Sequence, residues 1–411
     1  MADATTLIIG ASHAGVQTAA SLRDNGYDGR IVMISDEAHL PYHRPPLSKT
    51  LAKPGGAALQ VLRSARFFED RRIEFVPDTR IASLAPVERR VVTADGAVID
   101  YDALVLATGA RPLLPPIPGR DLDGVMTLRS LDDALRLGEA LQGAGHVAII
   151  GGGMIGLEFA AVAAGEGRQV TVIEAAPRIL GRAVSAETAN QLAAEHRRRG
   201  VTIVTGDSVL AIEGEKRVSA VVTKAGLRVP ADLVLIAVGA IANAELAGDI
   251  GIGNRDGIQV DAGLATTVPG IYAVGDCAHH PSTHAGAAMR IESVQNATDQ
   301  GRTVAAALTG GKARYTALPW FWSDQYELKL QIAGITQGHD LAVSRRDGPD
   351  GRLTVFCFRQ GRLVGVESIN NARTHMAARR LLGAGMTITA AEAADPDFDI
   401  GAAAKLIAAA E

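Results

Sequence analysis

Gly151, Gly153 and Gly156 carry the clearest chemistry in the sequence. They form a GxGxxG between the apolar run His146–Ile150 and a helix-like stretch reaching about Gly167. This pattern holds phosphates rather than attacking bonds. The first glycine permits a tight turn, the second lets the backbone approach a pyrophosphate, and the third lets helix and strand pack closely. The helix N-terminus then offers free N–H groups and a partial positive charge. Glu174 ends the next strand, Gln169–Glu174, where an acid grips the ribose hydroxyls. Its charge would repel a 2′-phosphate and so favours NADH over NADPH, although Arg178 nearby leaves the second open. Gly10-Ala11-Ser12-His13-Ala14-Gly15 repeats the pattern with Ser12 in the second place. That side chain either bonds a pyrophosphate or crowds it. Asp36 is the strand-end acid here, with Glu37 as its competitor. Cys277 and Cys357 are the two cysteines, and they form no CxxC. There is thus no sequence case for a redox disulfide or a zinc site, and both read as reduced, mostly buried thiols.

Two similar passages must position these turns. Thr5–Gly10, a helix-like stretch to about Asn25 and Arg30–Asp36 are echoed by His146–Gly151, a second such stretch and Gln169–Glu174. Each reads as buried strand, glycine turn, helix and strand, the unit that builds parallel sheets covered on both faces. A second echo pairs Tyr101–Gly109 with Ala231–Gly239, and Pro112–Pro118 reads as a crossing linker. From about Thr316 the character changes. Trp320 and Trp322 are followed by short alternating strands, Leu353–Phe358 and Leu363–Val366, and then by Ala-rich helices. The expected fold is α/β, with two Rossmann-like dinucleotide-binding domains and a C-terminal α+β domain. The first domain is discontinuous, 1–111 and 241–315; the second is 112–240 and the third 316–411. The net charge of -4 comes without a basic cluster and argues against nucleic acid. No apolar run approaches the roughly 20 residues of a membrane span. Met1–Thr6 leads into a strand without a signal-peptide pattern, so a cytoplasmic location is expected.

The passage Gly270-Ile271-Tyr272-Ala273-Val274-Gly275-Asp276-Cys277-Ala278, following two dinucleotide units, resembles the two-dinucleotide-binding-domain flavoproteins. Three further passages resemble the NADH-dependent ferredoxin reductases of the putidaredoxin reductase type: Pro41-Tyr42-His43-Arg44-Pro45-Pro46-Leu47-Ser48-Lys49, Met289–Ala297 and Pro319–Gln325. The likeness covers nearly the whole chain; Ser12 and the histidine of PYHRPP depart from it. It implies FAD in the first domain and NAD in the second, with no metal. The FAD contacts it implies are Gly10, Ser12, His13, Ala14, Gly15, Asp36, Arg44, Lys49, Ile81, Thr108, Gly109, Arg129, Asp276, Val294 and Trp320. For NAD they are Gly151, Gly153, Ile155, Gly156, Glu174 and Gly239. Asp276 would hold the ribitol or phosphate arm. Arg44 could equally be an exposed loop arginine.

Lys49, Glu158, Trp320 and Trp322 are the catalytic residues the resemblance implies. Lys49 and Glu158 would form an ion pair that positions the nicotinamide; the plain alternative for Glu158 is a helix-surface carboxylate. On one strand the two tryptophans face the same side. They either approach the flavin, with Trp322 nearer the electron exit, or anchor a core. NADH would give a hydride to the flavin, which releases electrons singly to a 2Fe-2S ferredoxin serving a bacterial monooxygenase or dioxygenase. An acidic ferredoxin would dock on basic residues, with Arg302 first and Arg290 and Lys329 behind it, unless these are ordinary solvated charges. A monomer is expected. A thiol-dependent reductase, peroxidase or oxidase of the same fold would need a cysteine facing the flavin, and none precedes Cys277. A redox-controlled interaction protein would need an insertion or basic surface that the sequence lacks, and a flavin hydroxylase a bulky substrate domain.

Overall fold

The computed structural model describes residues 4–50, 59–312, 314–347 and 352–408, so Met1, Ala2 and Asp3 of the N-terminal lead-in lie outside them. The chain packs as two compact units. One takes Met1–His43, Leu59–Arg111 and Ala240–Pro319; the other takes Arg44–Ala58, Pro112–Gly239 and Trp320–Glu411.

A five-stranded sheet organises the first unit, in the order Ile271–Ala273, Ala103–Leu106, Thr5–Ile9, Arg30–Ile34, Ile73–Val76. All its neighbours are parallel. The strand residues are apolar without alternation because both faces are covered. Leu7, Ile9, Val32 and Leu104 enter one core, while Ile8, Ile31, Met33 and Val105 enter the other. The second core includes Ala19 and Leu22 of the His13–Asp24 helix and Val304 of the Val294–Leu308 helix. These helices meet closely: a Cβ on Gly301 would lie 3.0 Å from the Ala14 carbonyl oxygen.

The second unit contains a matching parallel sheet, in the order Thr202–Thr205, Gln169–Glu174, His146–Ile150, Leu233–Ile236, Val125–Met126. It also holds a five-stranded antiparallel sheet, in the order Trp320–Gln325, Leu328–Gly334, Arg362–Ile369, Arg352–Arg359, Leu341–Asp347. The expected alternation at Leu353–Phe358 is corrected here, since all six residues are buried. Helix Ala372–Gly383 packs on Leu328–Gly334 and Arg362–Ile369, and helix Ala186–Arg198 packs on Arg352–Arg359. Helices therefore flank this sheet, and its inner strands bury both faces. Region 320–408 falls with the strands of 112–239 in the second unit.

Candidate functional site

The Gly10–Gly15 turn joins strand Thr5–Ile9 to helix His13–Asp24 at the C-terminal edge of the first parallel sheet. Gly10 has φ +108°, and a Cβ there would lie 2.1 Å from the Ala107 carbonyl oxygen. A Cβ on Gly15 would lie 1.9 Å from the Gly10 carbonyl oxygen. Glycine is therefore required at both positions. Ser12 is the helix N-cap in extended conformation, with φ -115° and ψ -158°, and its side chain makes no cap hydrogen bond. No left-handed backbone is demanded of it, which is why serine is tolerated. The backbone N–H groups at the helix start, including those of His13 and Ala14, point to where a pyrophosphate would sit. The turn fits an adenine dinucleotide.

Other expected contacts line the same sheet edge. Asp276 lies in the short turn Gly275–Cys277 directly after strand Ile271–Ala273. The turn is held from behind, because the Gly275 N–H donates to Gln300 Oε1 at 2.7 Å. Thr108 Oγ1 donates to the Asn243 carbonyl at 2.6 Å, and the Asn243 amide returns a bond to the Thr108 carbonyl at 2.9 Å. Gly109, with φ +68°, accepts the Asn243 N–H. Val294 opens helix Val294–Leu308, and Ile81 is a buried strand end. Asp36 is exposed, two residues beyond its strand, and Glu37 accepts the Tyr42 hydroxyl.

The second turn reproduces the frame of the first. Gly151 has φ +108°, and a Cβ on it would meet the Ala237 carbonyl oxygen at 2.4 Å. One on Gly156 would meet the Gly151 carbonyl oxygen at 2.3 Å. At Gly153 the nearest atom would be 3.9 Å away, so this side of the turn is open for a ligand. Glu174 turns back onto the turn: its carboxylate accepts the Gly152 and Ala176 N–H groups, both at 2.7 Å. Arg178 reaches the carbonyls of Ser185 and Gly181, at 3.4 and 3.2 Å. Ile155 stands 44 % exposed in the first turn of helix Met154–Gly165, an apolar side chain beside the open turn. Gly239 has φ +129° and accepts the Leu113 N–H.

Lys49 and Glu158 come together in the second unit. Lys49 Nζ lies 2.9 Å from Glu158 Oε2, and Glu158 is buried rather than a helix-surface group. Two serines complete its shell. Ser48 Oγ donates to Oε2, and Ser323 Oγ donates to Oε1 at 2.7 Å. Neither serine is marked by sequence alone, although Ser48 directly precedes Lys49 and Ser323 directly follows Trp322. Arg44 Nη1 donates to the Arg129 carbonyl at 3.0 Å, so two expected FAD contacts also touch each other.

Trp320 and Trp322 share one face of strand Trp320–Gln325, with ring centroids 5.4 Å apart. Both are half-buried, and Phe356 and Phe358 fill the core instead. Trp320 carries the Arg379 guanidinium 4.3 Å over its ring and His375 at its edge. Burial, followed by the Arg379 charge, lowers the His375 pKa to about 4. Of the docking candidates, Arg302 is exposed and pairs with Asp299, and Lys329 is exposed. Arg290 is a correction. Its guanidinium bonds the Asp276 carbonyl at 2.7 Å and pairs with Glu292, and its side chain is only 16 % exposed. It braces the Asp276 turn and is not a free docking charge. Cys277 and Cys357 are fully buried, and burial pushes both thiols up, away from the reactive thiolate.

Residues 4–301 match the pyridine nucleotide-disulphide oxidoreductase family, and residues 320–404 match the reductase C-terminal family. The chain is 42 % identical over 397 residues to rhodocoxin reductase of Rhodococcus erythropolis, covering 96 % of this chain and 93 % of that one. It is 36 % identical over 376 residues to putidaredoxin reductase CamA of Pseudomonas putida, covering 90 % and 89 %. Among solved structures, it resembles the ferredoxin reductase for the CYP199A2 system from Rhodopseudomonas palustris at 44 % identity and TM-score 0.95, covering 98 % and 100 % of the two chains. It also resembles the covalent putidaredoxin reductase–putidaredoxin complex at 34 % identity and TM-score 0.94, covering 100 % of both.

Proposed function

The chain belongs to the pyridine nucleotide-disulphide oxidoreductase family, and from that premise we propose that it is an FAD-dependent NADH:ferredoxin oxidoreductase of an oxygenase system. FAD supplies the exchange between a two-electron hydride donor and a one-electron acceptor. The observation that carries the reading is the pair between half-buried Lys49 and buried Glu158. It couples the PYHRPPLSK segment to the helix that follows the second glycine turn. The two buried thiols support it by leaving the chemistry without a reactive sulfur.

In this reading the Gly10–Gly15 turn, Asp276, Thr108, Gly109, Arg44 and Arg129 hold FAD. The Gly151–Gly156 turn and Glu174 hold NADH, and the Glu174 carboxylate disfavours a 2′-phosphate. Lys49 and Glu158 orient the nicotinamide, and Trp320 and Trp322 approach the flavin, with Trp322 nearer the electron exit. Residues 1–111 with 241–315, 112–240 and 316–411 serve as the FAD, NAD and C-terminal domains. The acceptor is a 2Fe-2S ferredoxin guided by Arg302 and Lys329 to a cytoplasmic monomer. Among the described residues no helix is long and apolar enough to cross a membrane.

The test is NADH-driven cytochrome c reduction, with and without a small 2Fe-2S ferredoxin and repeated with NADPH. Strong stimulation by the ferredoxin, with NADH well ahead, is expected. NADH oxidation indifferent to a panel of ferredoxins would overturn the reading.

A further inference from the structure

Behind Glu158 runs a line of buried polar side chains that the proposed reaction leaves unused. Ser323 Oγ gives its proton to Glu158 Oε1 at 2.7 Å and accepts from Gln325 Nε2 at 3.0 Å. Gln325 Oε1 lies 3.0 Å from His196 Nε2, and His196 Nδ1 lies 3.4 Å from the Tyr326 hydroxyl. None of Glu158, Ser323, Gln325 and His196 is more than 5 % exposed.

The chemistry of each group fixes the direction of the whole line. An ionised carboxylate only accepts, so Ser323 must donate to it. Ser323 can then accept only from the Gln325 amide, whose carbonyl end is left for His196. That end requires a proton on His196 Nε2. Burial lowers the His196 pKa and keeps the ring neutral, so Nδ1 is the acceptor and Tyr326 donates to it. Every hydrogen bond points toward Glu158, and bonds aligned this way polarise one another. Groups of both signs surround the line. Lys49 pairs with Glu158 at one end, while Glu195, Arg199 and Glu327 lie about His196 and Tyr326 at the other.

We propose that Ser323 is the positioning residue that fixes the Glu158 carboxylate against Lys49, with Gln325 and His196 locking its hydroxyl in the donating direction. The first strand of the C-terminal sheet thereby sets the geometry of the nicotinamide site. The proposal rests on the role read above for Lys49 and Glu158. It does not require Ser323 to touch either cofactor. Without the hydroxyl, Oε1 loses its partner in a buried site and the carboxylate can rotate away from its pairing geometry.

The test combines kinetics with a spectroscopic signature. In Ser323→Ala the limiting rate of flavin reduction by NADH falls about tenfold, the scale of one lost charge-assisted hydrogen bond. Ser323→Thr, which keeps the hydroxyl, restores it. In the Glu158→Gln background, Ser323→Ala slows the reaction no further, because it acts through that carboxylate. ¹⁵N NMR of histidine-labelled wild-type protein shows the His196 ring protonated on Nε2, with the signal identified by its loss in His196→Gln. A ring protonated on Nδ1 overturns the proposal even if Ser323→Ala does not fold, as does a wild-type rate in Ser323→Ala. A slow Glu158→Gln beside an unchanged Ser323→Ala removes only this inference. A wild-type rate in Glu158→Gln removes the underlying reading as well.

Discussion

The two glycine turns share one backbone frame and differ in the side chains placed around it. Gly10 and Gly151 have the same φ, +108°, and each donates its N–H to the end of the next strand, at Ile34 and Ile173, over 2.8 Å. Each helix starts with the same bond, from Val16 to Ser12 and from Leu157 to Gly153. The pairing register is also shared: Ile9 faces Ile34 as Ile150 faces Ile173. Glu174 therefore corresponds to Ser35 in the first unit, and the nearby acids Asp36 and Glu37 come one and two residues later. The fifth strand differs too. Ile271–Ala273 comes from far downstream and leads to Asp276, whereas Val125–Met126 comes from upstream and leads to Arg129. Steric necessity fixes the frame, so it tolerates little change. On the proposed reading, ligand choice rests on residues just past it, which are free to diverge.

Equivalent substitutions should pull the two turns apart. The largest effect is expected from Gly15→Ala and Gly156→Ala, each of which forces a methyl onto a carbonyl oxygen at roughly 1–3 kcal/mol or more. Gly15→Ala should purify without its visible flavin absorbance. Gly156→Ala should stay yellow and lose NADH-driven reduction on the order of a hundredfold. A colourless Gly156→Ala protein would reverse the assignment of the turns. Glu174→Ala comes next, with kcat/KM for NADH falling about tenfold or more while that for NADPH changes little. Parallel losses for both nucleotides would mean that Glu174 only supports the Gly152 and Ala176 amides.

Acid should weaken both units. Each contains a buried histidine whose pKa burial lowers from 6.5, His280 in the first and His196 in the second. The unfolded chain binds these protons first, so stability holds above about pH 6.5 and falls as the pH drops toward the lower folded values. His280→Gln and His196→Gln should each flatten the decline of melting temperature between neutral pH and pH 5. His375, also buried in the second unit and with its pKa lowered to about 4, adds to the second unit's decline, so a flat response to His196→Gln alone would assign that decline to His375. The smallest effect is expected from Ser12→Gly, which makes the first turn resemble the second. Ser12 makes no cap hydrogen bond and occupies no strained backbone, so stability should shift by only a few tenths of a kcal/mol. A large gain in flavin affinity, read from flavin release on dilution, would show that the hydroxyl crowds the pyrophosphate.

Both turns were legible because their glycines answer to local sterics, and the strands before them are apolar on both faces. The Asp276 passage was legible as a motif. The resemblance points to Glu158 but not to its shell, since Ser48 and Ser323 stand beside the more conspicuous Lys49 and Trp322 and lie 110 and 165 residues from Glu158. Arg290 looked like a surface charge, because a sequence does not show a carbonyl turned toward it. The sequence suggests alternation at Leu353–Phe358 because the helix covering its second face comes from a distant part of the chain.

The strand Trp320–Gln325 turns both tryptophans to one side and Ser323 and Gln325 to the other. The chain contains no other tryptophan. The intrinsic indole emission of the whole protein is thus a built-in, label-free gauge of six residues, and any disturbance of the Glu158 brace from behind is written into the colour and intensity of that light.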